Sequence, residues 1–184
     1  MILTRVLFGL SSTVILLVAG PAGAASAAKS ERDGAETLTV FTEEVEGADA
    51  FLSKAAGYLV FPKVYKVGIG VGAESGEGVL RVGGKTVDYY RTTSGSIGLQ
   101  LGAQAKSIVI AFMTQAALDK FRNSEGWKVG VDGSVALIDI GVGKTIDTDN
   151  VRDPVVGFIF GSKGLMYNLT LEGSKFKKLD KTKD

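Results

Sequence analysis

Apolar residues at three- and four-residue steps mark the first predicted element, a helical segment over residues 35–56. Acidic side chains occupy its other face. Gly47 lies inside the segment, so the pattern fits either one helix or two helices that meet at this glycine. A short helix is also predicted over residues 114–123, with Thr114 as its N-cap. The polar residues 25–34 are predicted to form a flexible tail before the first helix.

After Gly57 the hydrophobic period falls to two, which predicts a series of short strands, roughly eight in all. Pro62 is predicted to end the first of them, and turns are predicted at residues 75–78, 83–84 and 162–164. Hairpin-type turns dominate this series. The pattern therefore predicts an α+β fold with a strongly curved, mostly antiparallel sheet, open or barrel-like, and two or three packed helices.

Glycine accounts for 25 of the 184 residues, about twice its usual share. In residues 64–73 and 94–104 the glycines alternate with bulky residues, so one face of each strand carries almost no side chains. Such a face lets a helix or another strand layer approach closely, or lets the sheet coil strongly.

Two loop segments resemble known ligand-binding motifs but lack required residues. Residues 141–145 lack the first glycine of a phosphate-binding loop, because position 138 is Ile138. Residues 147–153 lack the glycine and the final glutamate of a calcium-binding loop. We therefore expect neither a nucleotide site nor a metal site.

The N-terminus has the pattern of a secretory signal peptide. A basic start with Arg5 precedes an apolar run over residues 6–18, and small residues follow Pro21. Cleavage after Ala24 or after Ala27 fits equally well. The apolar run is shorter than the ~20 residues that a membrane span needs. We expect residues 1–24 to be removed and the mature protein to be exported, soluble, and periplasmic or secreted.

Charge and composition narrow the function further. The chain has no histidine and no cysteine, which excludes histidine-based catalytic triads, thiolate nucleophiles and Cys/His zinc sites. No motif of paired catalytic carboxylates is recognisable. Removal of the signal peptide takes away only Arg5, which leaves 20 basic and 20 acidic residues. We expect no enzyme activity, no cofactor and no nucleic-acid binding, and any attraction to anionic membranes must come from a local patch.

Four segments carry a family resemblance when taken together and in order. They cover residues 54–72, 95–110, 118–130 and 162–173. The set resembles the SYLF domain family over about residues 35–179, which predicts a single domain at residues 35–180 followed by a short tail at residues 181–184. As an exported, stand-alone chain, the protein is similar to the bacterial branch of the family.

The resemblance implies a non-catalytic module that binds lipids or phospholipid membranes. Phosphoinositide binding, and in some members actin binding, belong to eukaryotic relatives. We expect an apolar groove between the curved sheet and a helix to take an acyl chain or a membrane surface, while lysines contact phosphate. The candidate lysines are Lys63, Lys66, Lys163, Lys175, Lys177 and Lys178. A cell-envelope module that binds or organises other proteins stays open as the alternative, and the C-terminal lysines also fit an ordinary solvated tail.

Overall fold

The computed structural model describes residues 22–139, 152–164 and 170–181. These residues contain three helices, α1 (Ala22–Glu44), α2 (Ala48–Lys54) and α3 (Gln115–Arg122). The described strands are β1 (Gly57–Val82), β2 (Lys85–Phe112), β3 (Trp127–Lys128), β4 (Ala136–Asp139), β5 (Val155–Gly164) and β6 (Lys175–Leu179). The predicted α+β class, with three helices and a mostly antiparallel, strongly curled sheet, is confirmed.

Helices α1 and α2 are separated at Gly47, as predicted by the alternative of two helices that meet at this glycine. Gly47 has a φ of 83°, a left-handed conformation that glycine adopts without steric cost. The third helix begins after Thr114, whose side chain accepts a hydrogen bond from the backbone N–H of Ala117. The predicted N-cap is therefore confirmed.

The N-terminal segment differs from its prediction, because residues 25–34 belong to α1 rather than to a flexible tail. Contacts with distant residues hold this part of the helix. Glu31 accepts a hydrogen bond from the Tyr89 hydroxyl at 2.5 Å, and Ser30 accepts one from Lys181 Nζ at 2.7 Å. Polar composition alone cannot reveal partners that lie 58 and 151 residues away. The predicted signal peptide lies largely outside the described residues and stays a prediction.

Strand β2 is the centre of the sheet. One of its edges pairs with β1 along almost its whole length, and the other pairs with β6 over residues 89–93 and with β5 over residues 104–112. Strand β3 adds to β6, and β4 adds to β5 as the one parallel pair among the described strands. Two consecutive glycines, Gly83 and Gly84, form the turn between β1 and β2 with φ values of 57° and 77°. The hairpin predicted at this position is confirmed.

Hydrophobic residues pack on both faces of this sheet. On one face, Phe41 of α1 and Phe51 of α2 each lie 5.2 Å from the ring of Phe158. On the other face, Phe121 of α3 packs against Phe112 and Trp127, with ring centroids 4.7 and 5.8 Å away. The sheet is thus covered by helices on both sides where β2 pairs with β5.

Strand β1 turns back on itself around Gly70, which has a φ of 72° and coincides with a break in the β1–β2 register. A Cβ atom at Gly76 would lie 2.6 Å from the carbonyl oxygen of Lys63, thirteen residues earlier on the same strand. The two halves of β1 therefore face each other at a distance that only glycine permits. The close approach predicted for the glycine-rich face is confirmed, and the layer that approaches is the other half of β1 itself.

The continuity of β1 and β2 replaces several shorter predicted strands. Pro62 does not end a strand but lies at a register shift between Phe61 and Val64, and residues 75–78 continue β1 instead of forming a turn. Similarly, residues 162–164 lie in β5. The predicted strand at residues 165–171 falls mostly outside the described part of the chain. Among the described helices, none is long and apolar enough to cross a membrane.

Candidate functional site

Apolar side chains on the bent part of the hairpin point into solvent. We define the bent tip as residues 63–76 of β1 together with residues 92–106 of β2, which pair with each other. Ile69 is 81% exposed and Ile97 is 90% exposed, although both belong to regular strand structure. The bent tip contains five of the eight large hydrophobic side chains that are exposed in the described residues. These five form its outer face: Tyr65, Val67, Ile69, Val71 and Ile97.

The inner face of the same bent tip is polar and buried. Lys106 and Glu74 form an ion pair at 3.0 Å, with their side chains 1% and 4% exposed. Their ladder partners, Val64 and Ser94, lie at opposite ends of the bent tip, so only the fold-back around Gly70 can bring the two charges together. We call the buried polar residues of this face the inner cluster: Lys66, Glu74, Thr92, Gln104 and Lys106.

The inner cluster is not fully paired. Glu74 Oε1, Gln104 Oε1 and Thr92 Oγ1 are buried and have no hydrogen-bond partner in the described structure. Lys66 is the ladder partner of Gln104 and has no ion pair among the described residues. A buried polar atom without a partner costs about 1–3 kcal/mol, so this arrangement is expensive for a folded domain. The bent tip thus inverts the usual order, with charges inside and apolar side chains outside.

The sequence of the bent tip favours an anionic environment. The bent tip contains three lysines, Lys63, Lys66 and Lys106, and one carboxylate, Glu74, which pairs with Lys106. Lys63 is exposed, and it lines a hollow of about 260 Å³ together with Tyr65 and Glu77. An exposed lysine beside an exposed tyrosine and an apolar surface is a composition that suits the boundary between lipid headgroups and acyl chains.

A second cluster of charges lies below the outer face and ties the bent tip to α1. Glu77 contacts Lys181 Nζ at 2.9 Å and Arg91 Nη2 at 2.6 Å. The hydrogen bond from Lys181, followed by the one from Arg91, lowers the pKa of the Glu77 carboxyl below its usual value. Lys181 also lies 5.4 Å from the centre of the Tyr89 ring, whose pKa is raised to about 12, mainly by burial and also by its bond to Glu31.

The predicted lysines are not equivalent in the structure. Lys63 is exposed as expected, but Lys66 is 5% exposed and faces the inner cluster. Lys63 and Lys66, both predicted as lipid-contacting lysines, therefore lie on different faces of the bent tip. The register shift after Phe61 and the alternation of the strand place Lys66 on the opposite face. For Lys163, the backbone pairs with Ala105, and its side chain lies outside the described part.

The C-terminal lysines form a strand rather than a loose tail. Lys175, Lys177 and Lys178 all belong to β6, which pairs with β2 and β3. All three lysines are exposed, but Lys178 Nζ lies 2.5 Å from Asp88, which also pairs with Arg122, whereas Lys175 and Lys177 make no ion pair among the described residues. Two of the three candidates on β6 are thus available at the surface.

The helix side of the fold also contains the groove that the sequence predicted between a helix and the sheet. Its volume is about 490 Å³, and α1, α2 and the β1–β2 turn line it. Leu38, Leu52 and Ala55 provide apolar walls, while Arg81 and Asp49 supply charges. A groove is present at the predicted place between a helix and the sheet, but its lining is mixed rather than apolar, and its role in lipid binding stays a prediction.

Sequence reasoning did not identify the inner cluster. The sequence does place Lys66 and Lys106 on the glycine-bearing faces of two alternating strands. A lysine on such a face is normally expected to point into solvent. Alternation assigns residues to two faces without saying which face is covered. Only the bend at Gly70 decides that question.

Comparison with known families gives one match. Residues 93–183, about half of the chain, match the family model Ysc84, described as "Las17-binding protein actin regulator". A comparison with curated proteins finds no match. The matched segment begins within the bent tip and continues through α3 to the end of β6. The resemblance inferred from the sequence is confirmed: through residues 93–183 the chain belongs to the Ysc84 (SYLF) domain family.

Proposed function

We propose that this protein is an exported, non-catalytic module that binds the surface of phospholipid membranes through the outer face of the bent tip. The observation that carries the proposal is the inversion of this region, with apolar side chains outside and paired charges inside. Membership of a family linked to lipid and protein binding supports it.

The outer face supplies the hydrophobic part of the interaction. Burial of an exposed valine or isoleucine side chain stabilises association by about 1.5–3 kcal/mol when it is complete. Ile69 and Ile97 are the most exposed of the five residues and have the most to gain. Tyr65 adds an aromatic ring with a polar hydroxyl, which suits the interfacial layer of a bilayer.

Lysines supply the electrostatic part. Lys63 is exposed at the base of the outer face, and a lysine near an anionic membrane contributes about 1 kcal/mol. Glu74 is engaged by Lys106 on the inner face, so its carboxylate does not face the membrane. We expect binding to require anionic lipid and to weaken as salt rises. Phosphoinositides are one such lipid class, and the proposal extends to them only as anionic lipids.

Vesicle co-sedimentation tests the proposal. The mature protein, starting at Ala25 or Ala28, is mixed with vesicles of phosphatidylcholine alone or with phosphatidylglycerol at low salt. A double variant, Ile69→Ser with Ile97→Ser, should weaken binding to the anionic vesicles by at least about tenfold. Val87 and Val131 are exposed outside the bent tip, so Val87→Ser with Val131→Ser is the matched control and should bind like the wild type.

The proposal fails if the wild-type protein does not bind anionic vesicles at low salt, or if the Ile69/Ile97 double variant binds as well as its control. Circular dichroism of each variant checks that the fold is kept. Lys63→Gln should reduce binding and flatten its salt dependence. Lys120→Gln, on the exposed side of α3, is its control.

Export is a separate part of the proposal. The N-terminal residues that carry the signal pattern precede Ala25, and processing there would leave most of α1 intact. Mass spectrometry of the protein from its own host should find an N-terminus at Ala25 or Ala28. An intact Met1 terminus in the envelope or outside the cell would contradict the proposed cleavage.

A protein partner is the second candidate, because the matched family is described by the binding of another protein. In the envelope, the outer face would then cover an apolar patch of that partner. The Ile69/Ile97 variant separates the two readings. The protein partner is favoured if the wild type binds a purified partner stoichiometrically but binds no vesicles, and if the Ile69/Ile97 variant loses that partner.

A further inference from the structure

The turn that joins β1 and β2 carries a separate group of cations, outside the bent tip. Arg81 and Lys85 flank the Gly83-Gly84 turn, and Arg32 of α1 lies across from them. Together with Glu31 and Thr86 they line a hollow of about 550 Å³ between the helix and the turn, which we call the basic hollow. It contains three cationic side chains and one carboxylate.

Arg81 is the unusual member of this group. Its side chain is partly buried, and its Nη2 donates a hydrogen bond to the carbonyl oxygen of Gly84 at 2.5 Å. Its Nε is buried and has no partner, and no carboxylate lies within ion-pair distance of its guanidinium in the described structure. The guanidinium is only partly removed from water, but its buried Nε is a charged donor, and such a donor normally has a partner.

The one carboxylate of the basic hollow, Glu31, accepts a hydrogen bond from Tyr89 at 2.5 Å, which leaves a single negative charge against three cations. Asp33, the next acid on α1, contacts Lys29 and lies 3.9 Å from Arg32. Lys85 is exposed and makes no ion pair with a described residue. The basic hollow thus has cationic groups to spare, fixed on rigid elements on two sides.

We infer that the basic hollow binds a phosphate-bearing anion, with the Arg81 guanidinium as its central contact. The planar guanidinium offers several N–H donors in a fixed arrangement that matches phosphate oxygens, and the Gly84 carbonyl already orients it. Lys85 and Arg32 add two further positive charges, which favour a phosphate over a singly charged carboxylate as the ligand. The anion can be a lipid headgroup or a free phosphate ester, because both present the same oxygens.

This inference does not rest on membrane binding by the bent tip. The basic hollow lies at the Gly83-Gly84 turn, outside the bent tip, and its residues from Ala28 onward remain after either predicted cleavage. The adjoining 490 Å³ groove shares Arg81 and Ala35 with the basic hollow, and its wall includes apolar residues such as Leu38 and Leu52.

Nuclear magnetic resonance of the ¹⁵N-labelled mature protein tests the inference directly, through the Nε–Hε signals of its arginines. Inorganic phosphate and a short-chain phosphatidylglycerol below its micelle concentration are added in separate titrations. We expect a saturable shift of the Arg81 signal in at least one of them. A shift with both probes, or with phosphate alone, indicates a general phosphate site. A shift with the lipid alone identifies the headgroup as the source.

Variants complete the test. Arg81→Gln should weaken binding at least tenfold, whereas Arg152→Gln should leave it unchanged, because Arg152 is exposed and does not line the basic hollow. Lys85→Gln, at an exposed turn position, should weaken binding severalfold and guards against a folding defect in the Arg81 variant. The absence of a saturable Arg81 shift with either probe overturns the inference, as does full binding by both the Arg81 and Lys85 variants. The Ile69→Ser/Ile97→Ser protein should keep phosphate binding, so failure of membrane binding is distinguishable from failure here.

Discussion

The middle of the β1–β2 hairpin, which forms the bent tip, and its two ends are built from the same two strands but are ordered in opposite ways. Near the Gly83-Gly84 turn and at the start of β1, apolar residues such as Leu59 and Leu80 are fully buried in the core. At the bent tip, Ile69 and Ile97 face solvent while Glu74 and Lys106 are buried. The alternation of the strands continues through both regions, so local pattern cannot account for the difference.

The difference arises from what covers each face. Helices and neighbouring strands cover the hairpin near its turn, and there burial selects apolar side chains. At the bent tip, the fold-back of β1 covers the inner face with its own backbone and leaves the outer face open. An inverted region of this kind costs stability in water, which suggests that it is kept for an environment in which the outer face is covered.

The largest expected effect comes from the inner cluster. Glu74→Gln removes the carboxylate that pairs with Lys106 and leaves buried lysines without a counter-charge. Removal of one partner of a buried ion pair typically costs about 3–5 kcal/mol, and we expect a loss of this size in the free energy of unfolding, measured by urea titration. The triple variant Lys66→Met, Glu74→Leu and Lys106→Met should recover much of it. A Glu74→Gln protein as stable as the wild type would show that the cluster is not buried in solution.

The next effect contrasts two apolar residues of the same strand. Leu59→Ala removes a fully buried side chain and should destabilise the protein by about 2–5 kcal/mol. Ile69→Ala, ten residues later, should change the unfolding free energy by less than about 0.5 kcal/mol, because its side chain is exposed. Thermal and urea unfolding of both variants measure the contrast. Equal destabilisation would mean that the outer face is packed in solution.

The sequence predicted much of this fold for physical reasons that are local. The Gly83-Gly84 turn, the Thr114 cap and the break at Gly47 depend on the conformational preferences of single residues. The close approach at glycine-rich faces was also predictable, because absent side chains leave room for another layer. Segments 144–151 and 165–169 lie outside the described residues, and the predictions for them stay untested.

The candidate site was less predictable, because it depends on a long-range event. Lys63 and Lys66 are three residues apart, yet the register shift and the bend place one at the surface and the other inside. Lys178 is bound by Asp88, and Arg81 gains its importance from residues of α1 that lie 46 or more positions away in sequence. Charge counts identify lysines, but exposure decides which of them can meet a ligand.

A smaller effect is expected where the two halves of β1 touch. Gly76→Ala would place a Cβ atom 2.6 Å from the Lys63 carbonyl oxygen, which is backbone and cannot move aside easily. We expect a destabilisation of about 1–3 kcal/mol, measured by urea unfolding. Gly95→Ala is the matched control, since its Cβ would meet nothing closer than 4.0 Å. If both variants unfold alike, the halves of β1 do not face each other as closely as described.

The smallest effect concerns Glu77, three residues beyond Glu74 but partly exposed. Lys181 and Arg91 lower the pKa of the Glu77 carboxyl in the folded protein. At acidic pH this carboxyl therefore binds fewer protons in the folded protein than in the unfolded chain. The stabilisation is therefore present above the unfolded pKa of about 4.3 and is lost as pH falls through the lower folded pKa. Glu77→Gln should cost at most about 1 kcal/mol at neutral pH, because the Glu77 side chain is exposed enough for solvent to screen its ion pairs, and Lys181 keeps its hydrogen bonds to Ser26 and Ser30. Urea unfolding from pH 7 to pH 3 should show the difference from the wild type shrinking as pH falls. If the difference stays constant, the packing of the Glu77 side chain rather than its charge stabilises the contact between β1 and α1.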